Sequence, residues 1–158
     1  YYGWNMTNII DRFDKEYSFL NNHEIAPVSM MVNGKLHDAL SVDCAYQTLN
    51  AILLHERVEA LERLLSGRTT SELISRSPKK DLEYDTTRLN IMRDLLREKF
   101  SSPSFGALLK DTKDAIIVYK NTDGDRFWGV CDGEGMNWLG NLLMEVRKEL
   151  VNKDTTSC

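Results

Sequence analysis

The sequence predicts an α+β domain dominated by helices, with a small β-hairpin sheet packed on several of them. Three observations carry that expectation: long stretches in which apolar residues recur at helical spacing, an Asn33-Gly34 pair between two short runs near the start, and one compact apolar run at residues 116–119. With 158 residues and 42% hydrophobic content, the chain can bury about two-thirds of its unfolded surface. No composition shift marks a second core, so residues 1–158 read as one domain with its core at about residues 19–151 and with residues 1–18 and 152–158 as peripheral flanks.

Val28–Val32 and residues 35–42 flank Asn33-Gly34, the dipeptide best suited to a two-residue hairpin turn because both positions take positive φ. From Asp43 onward, Leu49, Ile52 and Leu53 form one stripe. Val58, Leu61, Leu64 and Leu65 form another, offset by about one residue, which predicts two helices meeting near His55. A polar connector at residues 75–87, with Arg76, Lys79 and Lys80, reads as a solvated loop rather than a basic rim for phosphate. Asp85 is placed to cap a helix in which Leu89, Met92, Leu95, Leu96 and Phe100 recur, and Ser102-Pro103 to open a short one carrying Phe105, Leu108 and Leu109. Residues 116–119 are the clearest strand and Phe127-Trp128 a short aromatic one. A long helix from about Asn137 then turns Leu139, Leu142, Leu143, Val146 and Leu150 inward.

The net charge of −4 argues against a protein that tracks along nucleic acid, because such affinity comes from Lys and Arg neutralising phosphates. Cys44, Cys131 and Cys158 are odd in number and widely spaced, which supports neither a disulfide framework nor a zinc site. His23, His37 and His55 match no metal-ligand spacing, so neither a metal nor a cofactor is expected. No run approaches the roughly 20 apolar residues of a membrane span. The expectation is a soluble, cytoplasmic chain in a reducing compartment, with no membrane partner. Tyr1 stands where Met ordinarily would, as in a domain excised from a longer protein.

Chemistry concentrates between residues 125 and 137, where Asp125, Trp128, Asp132 and Asn137 lie among Gly124, Gly129, Gly133 and Gly135. Glycines let backbone approach a ligand. The helix start beyond them offers N–H groups suited to a phosphate, and Trp128 offers a stacking face. A glycine-rich turn with a core tryptophan and a capping asparagine is the plainer reading of the same residues.

The string Asp125, Trp128, Gly129, then Gly135, Asn137, Leu139, Gly140, Leu143, Met144 and Arg147 resembles the C-terminal signature of the NADAR, or YbiA-like, family. Ile91-Met92-Arg93 with Lys99-Phe100 resembles that family's central helix, and Val42-Asp43 with Tyr46-Gln47 its V-E-H-x-Y-Q motif. Phe19-Leu20-Asn21 with Pro27 and Gly34 resembles its opening motif. The likeness runs from about Phe19 to Leu150, and implies a YbiA-like fold.

The resemblance implies an N-glycosidase that cleaves the bond between a ribose carbon and a nitrogen, in phosphorylated riboflavin-pathway intermediates or in ADP-ribose adducts of guanine. The implied partner is a nucleotide-like small molecule carrying a ribose phosphate or ADP-ribose moiety, with ADP-ribosylated nucleic acid as a further substrate. Such cleavage builds positive charge on the sugar, which a facing carboxylate stabilises. Asp43 and Asp125 are the candidate catalytic carboxylates, and Phe19, Asn21, Gln47, Asn50, Tyr84, Trp128, Gly129 and Asn137 the candidate ligand-binding residues. Asp43 also suits a helix N-cap, and Phe19 and Tyr46 suit the core.

The chain departs from the family pattern at Asp43 in place of glutamate, Cys44 in place of histidine, and Asn50 in place of a lysine whose charge nothing nearby replaces. Tyr84 stands for a tryptophan and Asn22 for a phenylalanine. The shorter carboxylate moves its charge by about 1 Å, a displacement that can cost about 100-fold. Two readings follow: a divergent N-glycosidase, and a catalytically impaired module that keeps the pocket and binds a nucleotide-like ligand or a protein partner in a sensing, sequestering or anti-defence role.

Overall fold

A computed structural model describes residues 8–64 and 82–156. The elements run β1 (Ile9–Ile10), a 3-10 helix (Lys15–Leu20), β2 (Val28–Val32), β3 (Lys35–Ala39), α1 (Val42–Leu64), α2 (Leu82–Phe100), α3 (Pro103–Lys110), β4 (Ile116–Ile117) and α4 (Trp138–Thr156). This is the helix-rich α+β architecture that the apolar spacing predicts. Asn33 and Gly34 take φ of 50° and 78° and close the antiparallel β2–β3 hairpin, with Val32 opposite Lys35.

The core is organised around α2, which packs on α1, α3, α4 and β2. Met92, Leu95, Leu96 and Phe100 are all buried, and their spacing puts them on one face of the helix. From α4, Leu139, Leu142, Leu143 and Val146 are buried in the same core. Arg147 is 8% exposed. Its Nη1 donates to Thr112 Oγ1 (3.0 Å) and Ala115 O (2.8 Å), which ties α4 to the segment leading into β4. Bidentate bonds from Arg97 to Glu149, at 2.9 and 2.7 Å, cross-link α2 to α4 at the surface.

Several local expectations are corrected. The two helices expected to meet near His55 are one helix, Val42–Leu64. A phase shift in an apolar stripe does not break a helix when no Gly or Pro interrupts it, and the His55–Glu59 pair at 3.4 Å spans the expected junction. Asp85 lies within the first turn of α2, paired to Arg88 at 2.7 Å, rather than ahead of it. The cap of α1 is Ser41, whose Oγ accepts from Cys44 N at 3.2 Å and whose carbonyl accepts from Ala45 N; Asp43 stands inside the first turn.

The strand expected at residues 116–119 is confined to Ile116–Ile117, and its parallel partner is β1. Residues 9 and 10, expected in a peripheral flank, are thus part of the body, with Ile10 3% exposed. Phe127-Trp128 is not a strand, because both of its amides donate to Asp125 Oδ1, at 3.0 and 2.8 Å, in a side-chain-closed turn. The basic residues Arg76, Lys79 and Lys80 lie outside the described residues. Among the described residues no helix is long and apolar enough to cross a membrane.

Candidate active site

Three segments converge on a cleft of about 130 Å³. The turn after the 3-10 helix brings Asn21, Asn22 and His23, and the first two turns of α1 bring Asp43, Tyr46 and Gln47. The loop between β4 and α4 brings Tyr119, Asp125 and Trp128, and Phe13, Met92 and Leu139 complete the wall. The α1 residues stand at i, i+3 and i+4, the spacing that places side chains on one helix face. With Ser41 serving as the cap, the Asp43 carboxylate is free to turn to the cleft. Its backbone N–H donates to Asn22 O at 3.0 Å, which joins the first two segments.

The loop between β4 and α4 is held by side chains acting as backbone. Asn137 donates from Nδ2 to Ile117 O (3.0 Å) and accepts at Oδ1 from Tyr119 N (2.9 Å), so one amide side chain completes the edge of β4 as a neighbouring strand would. Asn121 does similar work, accepting from Asp123 N and Asp125 N and donating to Asp125 O. Gly129 is required for packing: a Cβ there would stand 2.1 Å from Tyr119 O and 2.7 Å from Asn121 Nδ2. The first amides of α4, offered by the sequence to a phosphate, are already used, since Trp138 N donates to Phe127 O and Leu139 N to Trp128 O.

Aromatic rings line the cleft in two pairs. Tyr46 meets Trp128 edge-on at 5.4 Å, and Phe13 stacks on Tyr119 at 5.6 Å. Burial is the main cause that pushes the Tyr46 phenol up to about 12, and the Tyr84 phenolate charge adds to it. Tyr46 therefore stays a neutral hydrogen-bonding group at ordinary pH. Tyr119 is also raised, by burial first and then by the negative charges of Asp125, Asp123 and Asp43. Both candidate carboxylates are thus within electrostatic reach of one phenol. Asp125 spends Oδ1 on the turn amides; Oδ2 has no protein partner among the described residues. Among the described residues, Asn22 Oδ1 is buried without a hydrogen-bond donor.

Of the residues singled out from sequence, Asn21, Asp43, Gln47, Asp125 and Trp128 line the cleft. Phe19 is 5% exposed in the core. Asn50 and Tyr84 sit behind the cleft, bonded to each other through Tyr84 OH to Asn50 Oδ1 at 2.8 Å, while Gly129 and Asn137 hold the loop. The Arg88 guanidinium lies 5.0 Å from the Tyr84 ring centre, 3.4 Å from that of Phe127 and 5.9 Å from that of Trp128. Residues missed by the sequence reading are Phe13, Asn22, His23, Met92, Tyr119 and Leu139 as cleft lining. Asn22, as a departure from the family pattern, and Met92 and Leu139, as motif residues, carried a signal in the sequence; Phe13, His23 and Tyr119 carried none.

Larger depressions lie elsewhere among the described residues, two of them of about 360 and 370 Å³. In the first, between α2, α3 and α4, Arg97 is paired with Glu149 and Lys110 with Asp154. Neither brings two acidic side chains together with a tryptophan, as the smaller cleft does. Among the described residues no group of His, Cys, Asp or Glu is arranged to hold a metal.

The NADAR domain model matches residues 10–151. The chain belongs to the NADAR family. Over 101 residues it is 34% identical to the N-glycosidase YbiA of Escherichia coli, a match covering 61% of this chain and 62% of that protein. It is 32% identical over 140 residues to a riboflavin biosynthesis protein of Vibrio vulnificus (87% of this chain, 36% of that one). It is 31% identical over 109 residues to the chloroplastic riboflavin biosynthesis protein PYRR of Arabidopsis thaliana (63% and 18%). The matches thus span less than two thirds of each of these relatives. The NMR structure of Escherichia coli YbiA shares the fold, with a TM-score of 0.66 at 23% identity over 97% of this chain and 91% of that one.

Proposed function

We propose that this NADAR domain is an N-glycosidase that hydrolyses the bond between a ribose carbon and a nitrogen in a phosphorylated riboside or an ADP-ribose adduct. The observation that carries the reading is the meeting of Asp43 and Asp125, from α1 and from the loop before α4, on one aromatic-lined cleft. Loss of the base leaves positive charge spread over the ribose carbon and ring oxygen, and a fixed carboxylate beside it lowers the barrier. The second carboxylate orients the attacking water and takes its proton. Asp125 suits the latter part, since the turn amides fix its Oδ1 and Oδ2 has no protein partner among the described residues.

The cavity of about 130 Å³ is smaller than the roughly 300 Å³ at which sites for whole drug-sized ligands begin. It suits a sugar, with base and phosphate projecting at its mouth. The unpartnered Asn22 Oδ1 would accept from a ribose hydroxyl, and Trp128 offers a face to the base. The names of the relatives, N-glycosidase and riboflavin biosynthesis protein, agree with a riboside substrate.

The second reading, a binding module without the reaction, is favoured by Asn50, a neutral amide held by Tyr84 where the family pattern has a cation. Thermal unfolding of wild type and Trp128→Ala with ribose 5-phosphate and with ADP-ribose, beside chromatographic detection of released base, separates the two. Stabilisation by ligand together with release supports the enzyme, and stabilisation without release supports the module. No response to either ligand and no release would remove both.

A further inference from the structure

The turn at residues 21–24 presents an imidazole at the cleft mouth and is itself tightly held. Lys99 Nζ donates to Asn21 O at 3.0 Å, Asn21 Oδ1 accepts from His23 N at 2.9 Å, and Glu24 N donates to Asn21 O at 3.1 Å. The His23 ring sits with Nδ1 3.4 Å from Asp43 Oδ2. Its side chain is 74% exposed against 29% for that of Asp43, so the carboxylate backs the ring while the ring remains open to a ligand. Nothing in the sequence pairs His23 with Asp43, because they belong to different segments.

Resting on the N-glycosidase reading, we propose that His23 is the acid that protonates the departing nitrogen, with Asp43 orienting and charge-stabilising its imidazolium. A nitrogen leaving a ribose carbon takes the bonding electron pair, and purine or amine nitrogens leave poorly unless a proton arrives as the bond breaks. The other cleft groups suit this less well. Asp125 has one oxygen committed to the turn, and Tyr46 is a phenol made still less acidic by burial. An imidazole with one nitrogen against a carboxylate keeps its other nitrogen for the substrate. In the balanced step, the carbon–nitrogen bond breaks with its electron pair passing to nitrogen, and the Nε2 proton of His23 passes to that nitrogen. Water then bonds to the ribose carbon and gives its proton to Asp125. Exchange with solvent reprotonates His23 and deprotonates Asp125.

The test compares two 5′-phosphorylated N-ribosides in wild type and His23→Gln: a purine riboside, whose base needs a proton, and a pyridinium riboside, whose base departs neutral without one. General-acid catalysis contributes about 100-fold or more, so His23→Gln is expected to slow purine release by about that factor. The ratio of the two rates then shifts by a similar amount toward the pyridinium substrate. Equal losses on both substrates, or no loss on the purine, would overturn the role of His23 while leaving the N-glycosidase reading in place. If wild type releases pyridine but no purine, the role of His23 falls as well. Failure of wild type to release either base would overturn both claims.

Discussion

Lys99 is 2% exposed and donates a hydrogen bond to Asn21 O, on the turn that forms one side of the cleft. Burial is the main cause that lowers its ammonium from 10.5 to about 8, with Glu24 acting weakly in the opposite sense. Because the folded value lies below the unfolded one, the unfolded chain binds more protons between these two pH values, and stability rises with pH across that window. Each pH unit separating the two values corresponds to about 1.4 kcal/mol, so the drop from 10.5 to about 8 sets an upper bound of about 3 kcal/mol. Above the unfolded value the contribution is fully present, and it is lost as pH falls through about 8. The perturbation is Lys99→Met, which keeps the apolar stem and removes the charge. Tyr46, raised to about 12, acts in the opposite sense, costing stability as pH rises above the ordinary phenol value, but it does so in both proteins. Urea unfolding at about pH 7 and about pH 10 should therefore show wild type gaining about 2–3 kcal/mol relative to Lys99→Met. A difference between the two proteins that does not change with pH would refute the buried-cation argument.

Further outcomes follow from the site. Asp125→Asn keeps an oxygen to accept the Phe127 and Trp128 amides, so its unfolding midpoint should stay close to wild type while base release falls; Asp125→Ala should lose both, with about 1–2 kcal/mol of stability. Asn137→Ala strands Tyr119 N and Ile117 O, each at about 1–3 kcal/mol, and calorimetry should show a loss of at least about 2 kcal/mol. Gly129→Ala forces a methyl to within 2.1 Å of Tyr119 O and should lower both the unfolding midpoint and ligand-induced stabilisation, since the Trp128 loop must shift. A thermal shift equal to wild type would contradict that packing role.

How much was legible in the sequence depended on the range of the interaction. The hairpin was readable because Asn33-Gly34 fixes its own turn, and α2 and α4 because their buried faces repeat within the element. The β1–β4 pairing was not, since Ile9–Ile10 has no local pattern and gains meaning only from a partner about a hundred residues away. The Phe127-Trp128 segment looked like a strand because aromatic residues favour strands, whereas a single Asp125 oxygen redirects both amides. At the cleft, motif resemblance reached Asp43, Gln47, Asp125 and Trp128. It gave no means of separating cleft-lining residues from Asn137 and Gly129, which shape the loop from behind. His23 and Tyr119 join the site only through the tertiary fold, and Arg88 of α2 reaches the Phe127 and Trp128 rings in the same way.

On the proposed reading, Asp43 and Asp125 form a hydrolytic site for ribose–nitrogen bonds. Single-turnover base release from a 5′-phosphorylated N-riboside by wild type and by Asp43→Ala tests it most directly. Wild type should release the base and Asp43→Ala should lose at least about 100-fold, the scale typical of removing one electrostatic stabiliser of the transition state. Release that proceeds equally fast in both proteins would place the chemistry elsewhere and contradict it.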